Sequence, residues 1–316
     1  MSLAVDRQLV WFWVGVLGVL VVATVVAWIL KARARSEAAE ATVENINARI
    51  HSWWLMVGVV ALAILAGRIG AVILFALVSF FALREFVTLT PTRRGDHRTL
   101  FYGFFVSIPL QYYLIAIDWY GLFSILIPVY AFLYVPTRSA LSGDTENFLV
   151  RIAVIQWGLM VCVYCVSHAP ALLILDIPGY EGQNAKLLLY LLLIVEVSDV
   201  LQYVWGKLTG RHAIAPTVSP NKTVEGFVGG VVCATLLGTA LWAMTPFSPW
   251  QAAAMSAVAV LMGFAGGLTM SAIKRDRGVK DFGVMLAGHG GILDRIDSVC
   301  FAAPIFFHLT RYYFAR

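Results

Sequence analysis

The sequence predicts an all-α polytopic integral membrane protein with about ten transmembrane helices, and with eight as the lower limit. Of the 316 residues, 60% are hydrophobic and only 13% are charged, whereas a soluble domain carries roughly 25% charged residues. The apolar residues also form long uninterrupted blocks, such as 9–30 and 187–197. Because so little polar sequence is available to cover a water-exposed surface, these observations exclude a soluble globular enzyme, a disordered chain and a nucleic-acid-binding domain.

Individual spans follow from the length of the apolar blocks, since a helix needs about 20 residues to cross the hydrocarbon core. The block 53–89 is interrupted by Gly67-Arg68-Ile69-Gly70, so we expect it to cross twice or to re-enter. Segment 36–50 is polar and is predicted to form a short helix at the membrane surface, as a solvated connector or an interaction element. The predicted spans are 9–30, 53–67, 69–89, 100–117, 119–135, 152–175, 187–206, 226–245, 250–272 and 298–315.

Basic residues are distributed unevenly between the connections. Seventeen of the 23 Lys and Arg residues fall in every second connecting segment. Because Lys and Arg are concentrated in the cytoplasmic loops of membrane proteins, we expect these segments to face the cytoplasm and both termini to face away from it. The five basic segments are 31–52, 90–99, 136–151, 207–225 and 273–297.

The chain divides by sequence character into three parts. Residues 1–52 are predicted to form an N-terminal anchor helix and a polar connector, residues 53–186 a set of transmembrane helices, and residues 187–316 the catalytic transmembrane region. The four cysteines lie inside apolar stretches, so we expect buried small side chains rather than redox or zinc ligands. They are Cys162, Cys165, Cys233 and Cys300.

Three charged clusters lie in the C-terminal part, and the first ends an apolar helix. Glu196, Asp199 and Tyr203 follow i, i+3, i+7 spacing and therefore share one helical face. Carboxylates at membrane depth are costly unless they meet a cation, a basic side chain or water. Asp199, with Ser198 beside it, is thus a candidate metal or substrate ligand, and a structural salt bridge or a helix-packing hydrogen bond is the alternative.

The second cluster is the loop 207–226, which leads into an apolar helix. A helix that starts at Ser219-Pro220 or at Thr223-Val-Glu225 would present free backbone N–H groups. Such groups beside basic side chains bind phosphate, whereas scattered Lys and Arg can also anchor to anionic lipid headgroups. The candidate substrate-binding residues of this loop are Lys207, Ser219, Asn221, Lys222 and Thr223.

The third cluster, 271–298, is the densest, with five basic residues, four acids and a Gly-His-Gly-Gly turn within 28 positions. Its basic side chains can neutralise a polyphosphate, and its glycines let backbone N–H groups approach oxyanions. Asp294 and Asp297 lie three residues apart at the start of the last helix, and Asp281 can return across the turn. Carboxylates that face phosphates need cations between them, which favours Mg²⁺; a solvated charged loop is the alternative.

These residues indicate a membrane-embedded, metal-dependent site for a phosphorylated or nucleotide substrate. The sequence contains neither a Ser-His-Asp pattern nor a P-loop, so it supports neither a covalent acyl enzyme nor an ATPase motor. The third cluster closely resembles the signature of the phosphatidate cytidylyltransferases (CDP-diacylglycerol synthases). The matching residues are Ser271, Lys274-Arg275, Lys280-Asp281, Gly288-His289-Gly290-Gly291 and Asp294-Arg295-Ile296-Asp297.

Segments upstream of this signature also look like the family, namely 198–207 and 219–226, with a weaker likeness at Leu83-Arg84-Glu85-Phe86. Two positions depart from the pattern. Ala287 stands where the family usually has Pro, and Gln202 stands where a small residue commonly precedes the Tyr. Taken together, the matching segments make the resemblance specific over roughly residues 195–300. Before that region it rests mainly on apolar spans.

The resemblance implies that CTP and phosphatidate are the substrates and that CDP-diacylglycerol and pyrophosphate are the products, in phospholipid biosynthesis. It implies Mg²⁺, as one of one or two cations, held by Asp199, Asp281, Asp294 and Asp297. Among the catalytic residues, His289 is expected to orient phosphate rather than to take a proton. The catalytic residues implied are Asp281, Lys280, His289 and Asp294, and the further substrate-binding residues are Lys274, Arg275, Gly290, Gly291 and Arg295.

The resemblance also implies an integral protein of the bacterial inner (cytoplasmic) membrane, with its catalytic loops on the cytoplasmic side of the C-terminal half. We expect membrane lipids as its surroundings, no nucleic-acid partner, and a homodimer. Two alternatives stay open, a cytidylyltransferase for another lipid phosphate and a non-catalytic lipid-binding or transport relative. Transporters often show matched broken spans in two halves, and the concentration of charge in the second half of this chain disfavours transport.

Overall fold

The computed structural model describes residues 7–33, 36–285 and 290–316, and it confirms an all-α polytopic architecture. Eight helical segments of this part of the chain are long and apolar enough to cross a membrane, which is the lower limit of the prediction. Two further helices, Val224–Ala240 and Leu293–Phe314, occupy the positions of the other two predicted spans. The eight segments are Arg7–Arg33, Thr42–Leu65, Gly67–Thr88, Arg94–Ala116, Tyr120–Ala140, Phe148–Ile174, Asn184–Thr209 and Pro249–Asp276.

Three of these segments consist of shorter helices joined by π-helical turns, at Gly103–Ser107, Leu126–Ala131 and Met160–Cys165. Such turns locally rotate the side chains of a span relative to a regular α-helix. The α-helices in chain order are α1 Arg7–Arg33, α2 Glu37–Leu65, α3 Gly67–Thr88, α4 His97–Tyr102, α5 Ile108–Ala116, α6 Tyr120–Ile125, α7 Phe132–Ala140, α8 Phe148–Leu159, α9 Val166–Ala171, α10 Asn184–Thr209, α11 Val224–Ala240, α12 Pro249–Asp276 and α13 Leu293–Phe314.

The predicted interruption of the block 53–89 is confirmed. Helix α2 ends at Leu65, and Gly67 adopts φ +74°, a left-handed conformation that glycine tolerates and that breaks the helix before α3. The polar segment 36–50 is not a separate surface helix, because it continues without a break into α2. The polar first half and the apolar second half therefore form one continuous helix.

The N-terminal hairpin of α1 and α2 packs more loosely than the rest of the molecule. Only 6% of the most apolar stretch of each of these two helices is buried inside the protein, against 44% for α3, α10 and α12. The buried core is built mainly from α3, the segment 148–174, α10, α12 and α13. Two of the cysteines, Cys162 and Cys300, are buried in this core as predicted, whereas Cys165 and Cys233 are only partly buried.

Close contacts through glycine bring the helices of the C-terminal part together. On α11, a side chain at Gly229 or Gly230 would overlap Trp205 or Gln202 of α10. On α12, a side chain at Gly266 would overlap the backbone of α13 at Asp297. Small residues allow membrane helices to approach this closely. The close packing brings charged residues of different helices to one cavity, which is described below.

A short hairpin departs from the all-α pattern. Strand β1, Ala213–Ala215, pairs antiparallel with β2, Ser219–Thr223. A helix start at Ser219-Pro220 is therefore wrong, since both residues lie in β2. The alternative start at Thr223 is confirmed, because its hydroxyl accepts a hydrogen bond from the backbone N–H of Gly226 at 3.1 Å and caps α11.

Candidate active site

A cavity of about 820 Å³ lies where α2, β2 and α10–α13 meet, beside the loop that follows α12. Its walls combine carboxylates, basic side chains and a few aromatic rings, as a site for an anionic ligand requires. Eleven residues predicted from the sequence line it together, although they come from three separate sequence clusters. They are Asp199, Ser219, Asn221, Lys222, Thr223, Lys280, Asp281, Gly290, Asp294, Arg295 and Asp297.

Two carboxylates from different helices meet at one point of the cavity wall. The hydroxyl of Ser298 donates a hydrogen bond to Asp199 Oδ2 at 2.6 Å and lies 3.4 Å from Asp297 Oδ1. Asp199 belongs to α10, whereas Asp297 and Ser298 belong to α13. Glu196, one turn before Asp199, lines the same cavity, so three carboxyl groups are gathered here.

Two basic side chains, Lys222 of β2 and Arg295 of α13, line the cavity with these acids. Lys222 extends from β2, and its ammonium lies 4.9 Å from the centre of the Phe264 ring. At Gly267 of α12 a Cβ atom would come within 2.9 Å of the Lys222 Nζ, so this glycine leaves the space that the ammonium occupies. Arg295 also lines the cavity, and its buried Nε has no hydrogen-bond partner within the described chain.

Asp294 has a different environment from the other acids. Its Oδ1 accepts a hydrogen bond from Lys274 Nζ at 2.8 Å, while its Oδ2 accepts the backbone N–H groups of Phe282 and Gly291 at 2.8 and 2.9 Å. Both oxygens are thus engaged with donors of the protein. Asp294 fastens the loop after α12 to the start of α13, in addition to contributing to the cavity wall.

Four predicted residues lie outside the cavity wall. Lys274 is buried against Asp294 and the Phe282 ring. Arg275 donates hydrogen bonds to the carbonyls of Val218 and Val279 and so joins the β-hairpin to the loop. The four residues are Lys207, Lys274, Arg275 and Gly291, and His289 lies outside the described residues.

Sequence reasoning missed the contribution of α2. Asn45, Arg49 and Trp53 line the cavity, and their spacing of four residues places them on one face of this helix. The signal is present in the sequence, as a polar-to-aromatic stripe that crosses from the predicted connector into the first residue of the predicted span 53–67. Glu85 of α3 belongs to the segment with the weaker family likeness, and the sequence did not predict its role. In the structure it accepts hydrogen bonds from the N-terminus of α13.

The donor set fits a cation that is shared with a phosphorylated substrate. No group of three His, Cys, Asp or Glu side chains within the described ranges is arranged to hold a metal ion. Mg²⁺, however, is usually bound by one or two carboxylates together with substrate phosphates and water. Asp199 and Asp297, joined through Ser298, provide such a pair opposite the basic side chain of Lys222.

The arrangement can bind, orient and neutralise phosphate groups. Hydrogen-bond donors and fixed positive charges in such a pocket stabilise the charge that develops during phosphoryl or nucleotidyl transfer. The charged groups that line the cavity are the basic side chains of Lys222, Lys280 and Arg295 and the carboxylates of Asp199 and Asp297. This chemistry needs positioning and charge neutralisation more than acid–base catalysis.

Comparison with known proteins agrees with this chemistry. The profile of the Cytidylyltransferase family matches residues 47–313. A phosphatidate cytidylyltransferase of Staphylococcus aureus (strain COL) is 31% identical over 250 residues, which cover 77% of this chain and 90% of that protein. The protein YnbB of Escherichia coli (strain K12), described as uncharacterized, is 41% identical over 269 residues, which cover 85% of this chain and 88% of YnbB.

Proposed function

The chain belongs to the cytidylyltransferase family, and we propose that it transfers the cytidylyl group of CTP to phosphatidate, with CDP-diacylglycerol and pyrophosphate as products. It is a nucleotidyltransferase of integral membrane type. The observation that carries the specific proposal is the cavity in which Asp199 and Asp297 meet opposite Lys222 and Arg295. The name of the Staphylococcus relative supports phosphatidate as the acceptor.

The nucleotide occupies the side of the cavity formed by β2 and the loop after α12. Lys222 and Lys280 neutralise the triphosphate, and the polar side chains of Ser219 and Asn221 contact its sugar or base. Gly290 adopts φ +80° next to Asp281 and Asp294. At such a position the backbone approaches a phosphate closely without the obstruction of a side chain.

The lipid occupies the side of the cavity formed by α2. Its acyl chains remain among the membrane helices, and its phosphate meets Arg49, while Trp53 packs against the glycerol region. Arg and Trp are suited to this position, since guanidinium groups pair with phosphates and Trp residues favour the membrane interface. The substrates thus enter from opposite sides, the nucleotide from water and the lipid from the bilayer.

The reaction takes place between the lipid phosphate and the α-phosphate of the nucleotide. An oxygen of the lipid phosphate, already ionised at neutral pH, forms a bond to the α-phosphorus of CTP. The bond from that phosphorus to the β-phosphate oxygen breaks, and pyrophosphate leaves with the electron pair. Mg²⁺, when bound by Asp199 and Asp297 with the nucleotide phosphates, supplies neutralisation of negative charge. Arg295 and Lys222 orient the reacting phosphates within the cavity.

The sidedness and assembly are part of the same proposal. The site lies at the ends of α10 and α12 and at the start of α13, beside the basic segments 207–225 and 273–297. Because such segments concentrate in the cytoplasm, we place the site at the cytoplasmic face of the bacterial inner membrane, where CTP is available. A homodimer remains a prediction from the family resemblance.

The test is conversion of labelled CTP by the purified protein in detergent. With dioleoyl phosphatidate we expect CDP-diacylglycerol and pyrophosphate in equal amounts, and only when Mg²⁺ is present. Asp297→Asn should lower turnover by about 100- to 1,000-fold, because it removes a fixed charge at the reacting phosphates. Asp118→Asn is the matched control, since Asp118 is exposed and pairs with Arg68 away from the cavity.

Two results would contradict the proposal. One is the absence of pyrophosphate release with phosphatidate, and the other is wild-type turnover by Asp297→Asn. Parallel reactions with lysophosphatidate and with an ether-linked phosphatidate distinguish a different lipid phosphate from a non-catalytic lipid-binding relative. Release with only one of those acceptors would retain the cytidylyltransferase chemistry and change the substrate.

A further inference from the structure

Glu85 of α3 reaches across the molecule to the start of the last helix. Its Oε1 accepts the backbone N–H of Ile292 at 3.0 Å, and its Oε2 accepts that of Leu293 at 2.8 Å. The side chain is buried, with only 6% of the residue exposed. A residue more than 200 positions away in the sequence therefore caps the helix that carries Asp294 and Asp297.

The hydrogen-bond partners of the Glu85 carboxylate are backbone N–H groups. Glu85 forms no salt bridge to any basic side chain that the structure describes, so the N–H groups and the positive end of α13 compensate its charge. The surrounding backbone is shaped around it, because a side chain at Gly283 or Gly291 would overlap the Glu85 carboxylate. The two glycines therefore leave the space that the Glu85 carboxylate occupies.

Glu85 and Asp294 together hold both ends of one segment. Asp294 accepts the N–H groups of Phe282 and Gly291, and Glu85 accepts those of Ile292 and Leu293. Four backbone donors at the two ends of 282–293 are thus taken up by two carboxylates, one from each half of the chain. The ring of Phe86, next to Glu85, also lies 6.5 Å from that of Phe282.

We propose that Glu85 is a positioning residue for nucleotidyl transfer. By capping α13 it determines where the first two turns of this helix place Arg295 and Asp297 relative to Asp199 on α10. The role rests on the proposed function, because it concerns the same cavity. Glu85 does not line the cavity itself, so it acts through α13 and through the loop before it, without contacting a substrate.

The experiment compares Glu85→Gln and Glu85→Asp with Arg84→Gln, which alters the exposed neighbour on the same helix. In Glu85→Gln the amide NH₂ faces a backbone N–H that needs an acceptor. We expect kcat to fall about 100-fold, because small misplacements of reacting groups cost this much. The Mg²⁺ concentration for half-maximal rate should rise about tenfold, as for other supporting partners of metal ligands. Glu85→Asp should lie between wild type and Glu85→Gln.

A readout independent of activity uses a spin label at Val284→Cys in a background with the four native cysteines changed to Ala, since Val284 is 95% exposed on the loop. The electron paramagnetic resonance spectrum of the label should show greater mobility in the Glu85→Gln background and no change with Arg84→Gln. The proposal is wrong if Glu85→Gln lowers only the yield of folded protein, while kcat, the Mg²⁺ dependence and the spectrum stay as in wild type. Inactivity of the wild-type protein with every lipid phosphate would instead refute the proposed function.

Discussion

Two buried ion pairs, one in each half of the chain, are chemically alike but differ in what surrounds them. In the N-terminal half, Arg151 Nε lies 3.0 Å from Asp96 Oδ2, and the two side chains are 2% and 0% exposed. In the C-terminal half, Lys274 Nζ lies 2.8 Å from Asp294 Oδ1, with 11% and 2% exposed. Buried pairs such as these need further hydrogen bonds to offset the loss of hydration.

The N-terminal pair is closed on all sides. Ser139 donates a hydrogen bond to Asp96, and Arg151 also donates to the backbone carbonyls of Asp144 and Glu146. Burial alone would raise the pKa of Asp144, but the Glu146 N–H and the Arg151 guanidinium outweigh it and hold that pKa below its ordinary value. The cluster therefore joins the ends of several helices through buried charges that are compensated within the protein.

The C-terminal pair borders a cavity. Asp294 lines the 820 Å³ space that also contains Asp199 and Asp297, whereas neither Asp96 nor Arg151 lines it. Burial of a charged pair is thus not by itself a sign of function. The difference lies in the neighbours, because only the second pair holds a loop and a helix whose other charged groups remain available to a ligand.

The largest expected effect comes from breaking each pair in turn. Arg151→Gln and Asp294→Asn should each destabilise the protein by about 3–5 kcal/mol, because each leaves an uncompensated buried charge. Only Asp294→Asn should also reduce turnover per folded molecule. Thermal unfolding in detergent and activity normalised to folded protein measure the two effects. Equal loss of normalised turnover in both variants would remove the distinction between the pairs.

Asp281→Asn separates the effect on turnover from the effect on stability within the C-terminal half. Asp281 is exposed on the cavity wall, so its substitution should lower turnover and leave the unfolding temperature unchanged. A large loss of stability in this variant would show that Asp281 supports the loop as Asp294 does.

Helix α2 belongs to the N-terminal part of the chain, yet its Arg49 lines the cavity. A substitution there should have a smaller effect. Arg49→Gln should raise KM for phosphatidate about tenfold and leave KM for CTP unchanged, because a charge-assisted contact to a phosphate contributes roughly 1.5 kcal/mol. Arg33→Gln is the control, since Arg33 is an exposed basic residue in the last turn of α1 and does not line the cavity.

The reverse pattern, with KM for CTP raised and KM for the lipid unchanged, would place the nucleotide at α2. No change in either constant would remove Arg49 from the site. Steady-state rates at varied lipid mole fraction and fixed CTP, followed by the converse series, distinguish these outcomes.

The smallest expected effect concerns the start of α11. Thr223→Ala should destabilise the protein by about 1 kcal/mol, because it removes the hydrogen bond to the Gly226 N–H. Thr223→Ser retains a hydroxyl and should stay close to wild type in thermal unfolding. Since Thr223 also lines the cavity, turnover that falls in the serine variant as much as in the alanine variant would indicate that the methyl group contacts a substrate.

Much of the site could be predicted from local spacing. The density of charge in 271–298 and the carboxylate of Asp199 at the end of an apolar helix indicated a phosphate-binding region, because charges at membrane depth must be compensated. Capping chemistry predicted a start of α11 at Ser219 or at Thr223, and the structure has it at Thr223. The β-hairpin was not predicted, since strands of three and five residues carry too short a pattern to distinguish from a loop.

Other features depend on contacts between distant segments. Arg275 and Lys280 lie five residues apart and are similar in charge, yet Arg275 supports the hairpin and Lys280 faces the cavity. The face of α2 at Arg49 reaches the cavity only because the polar segment 36–50 continues as one helix. Neither outcome is encoded in local spacing, because each depends on which side chains of other elements are nearby.

The sequence by itself determined the membrane class, the approximate number of spans and the chemical nature of the site, because the cost of placing charge in a bilayer is independent of the fold. The tertiary structure decided which charges serve a ligand and which serve the scaffold. Asp294 and Asp297 lie three residues apart on one helix, yet Asp294 is fully engaged with donors of the protein and Asp297 meets Asp199 at the cavity. That division arises because Lys274 of α12 and the backbone of Phe282 and Gly291 supply donors to Asp294, whereas the packing of α10 against α13 brings Asp199 to Asp297.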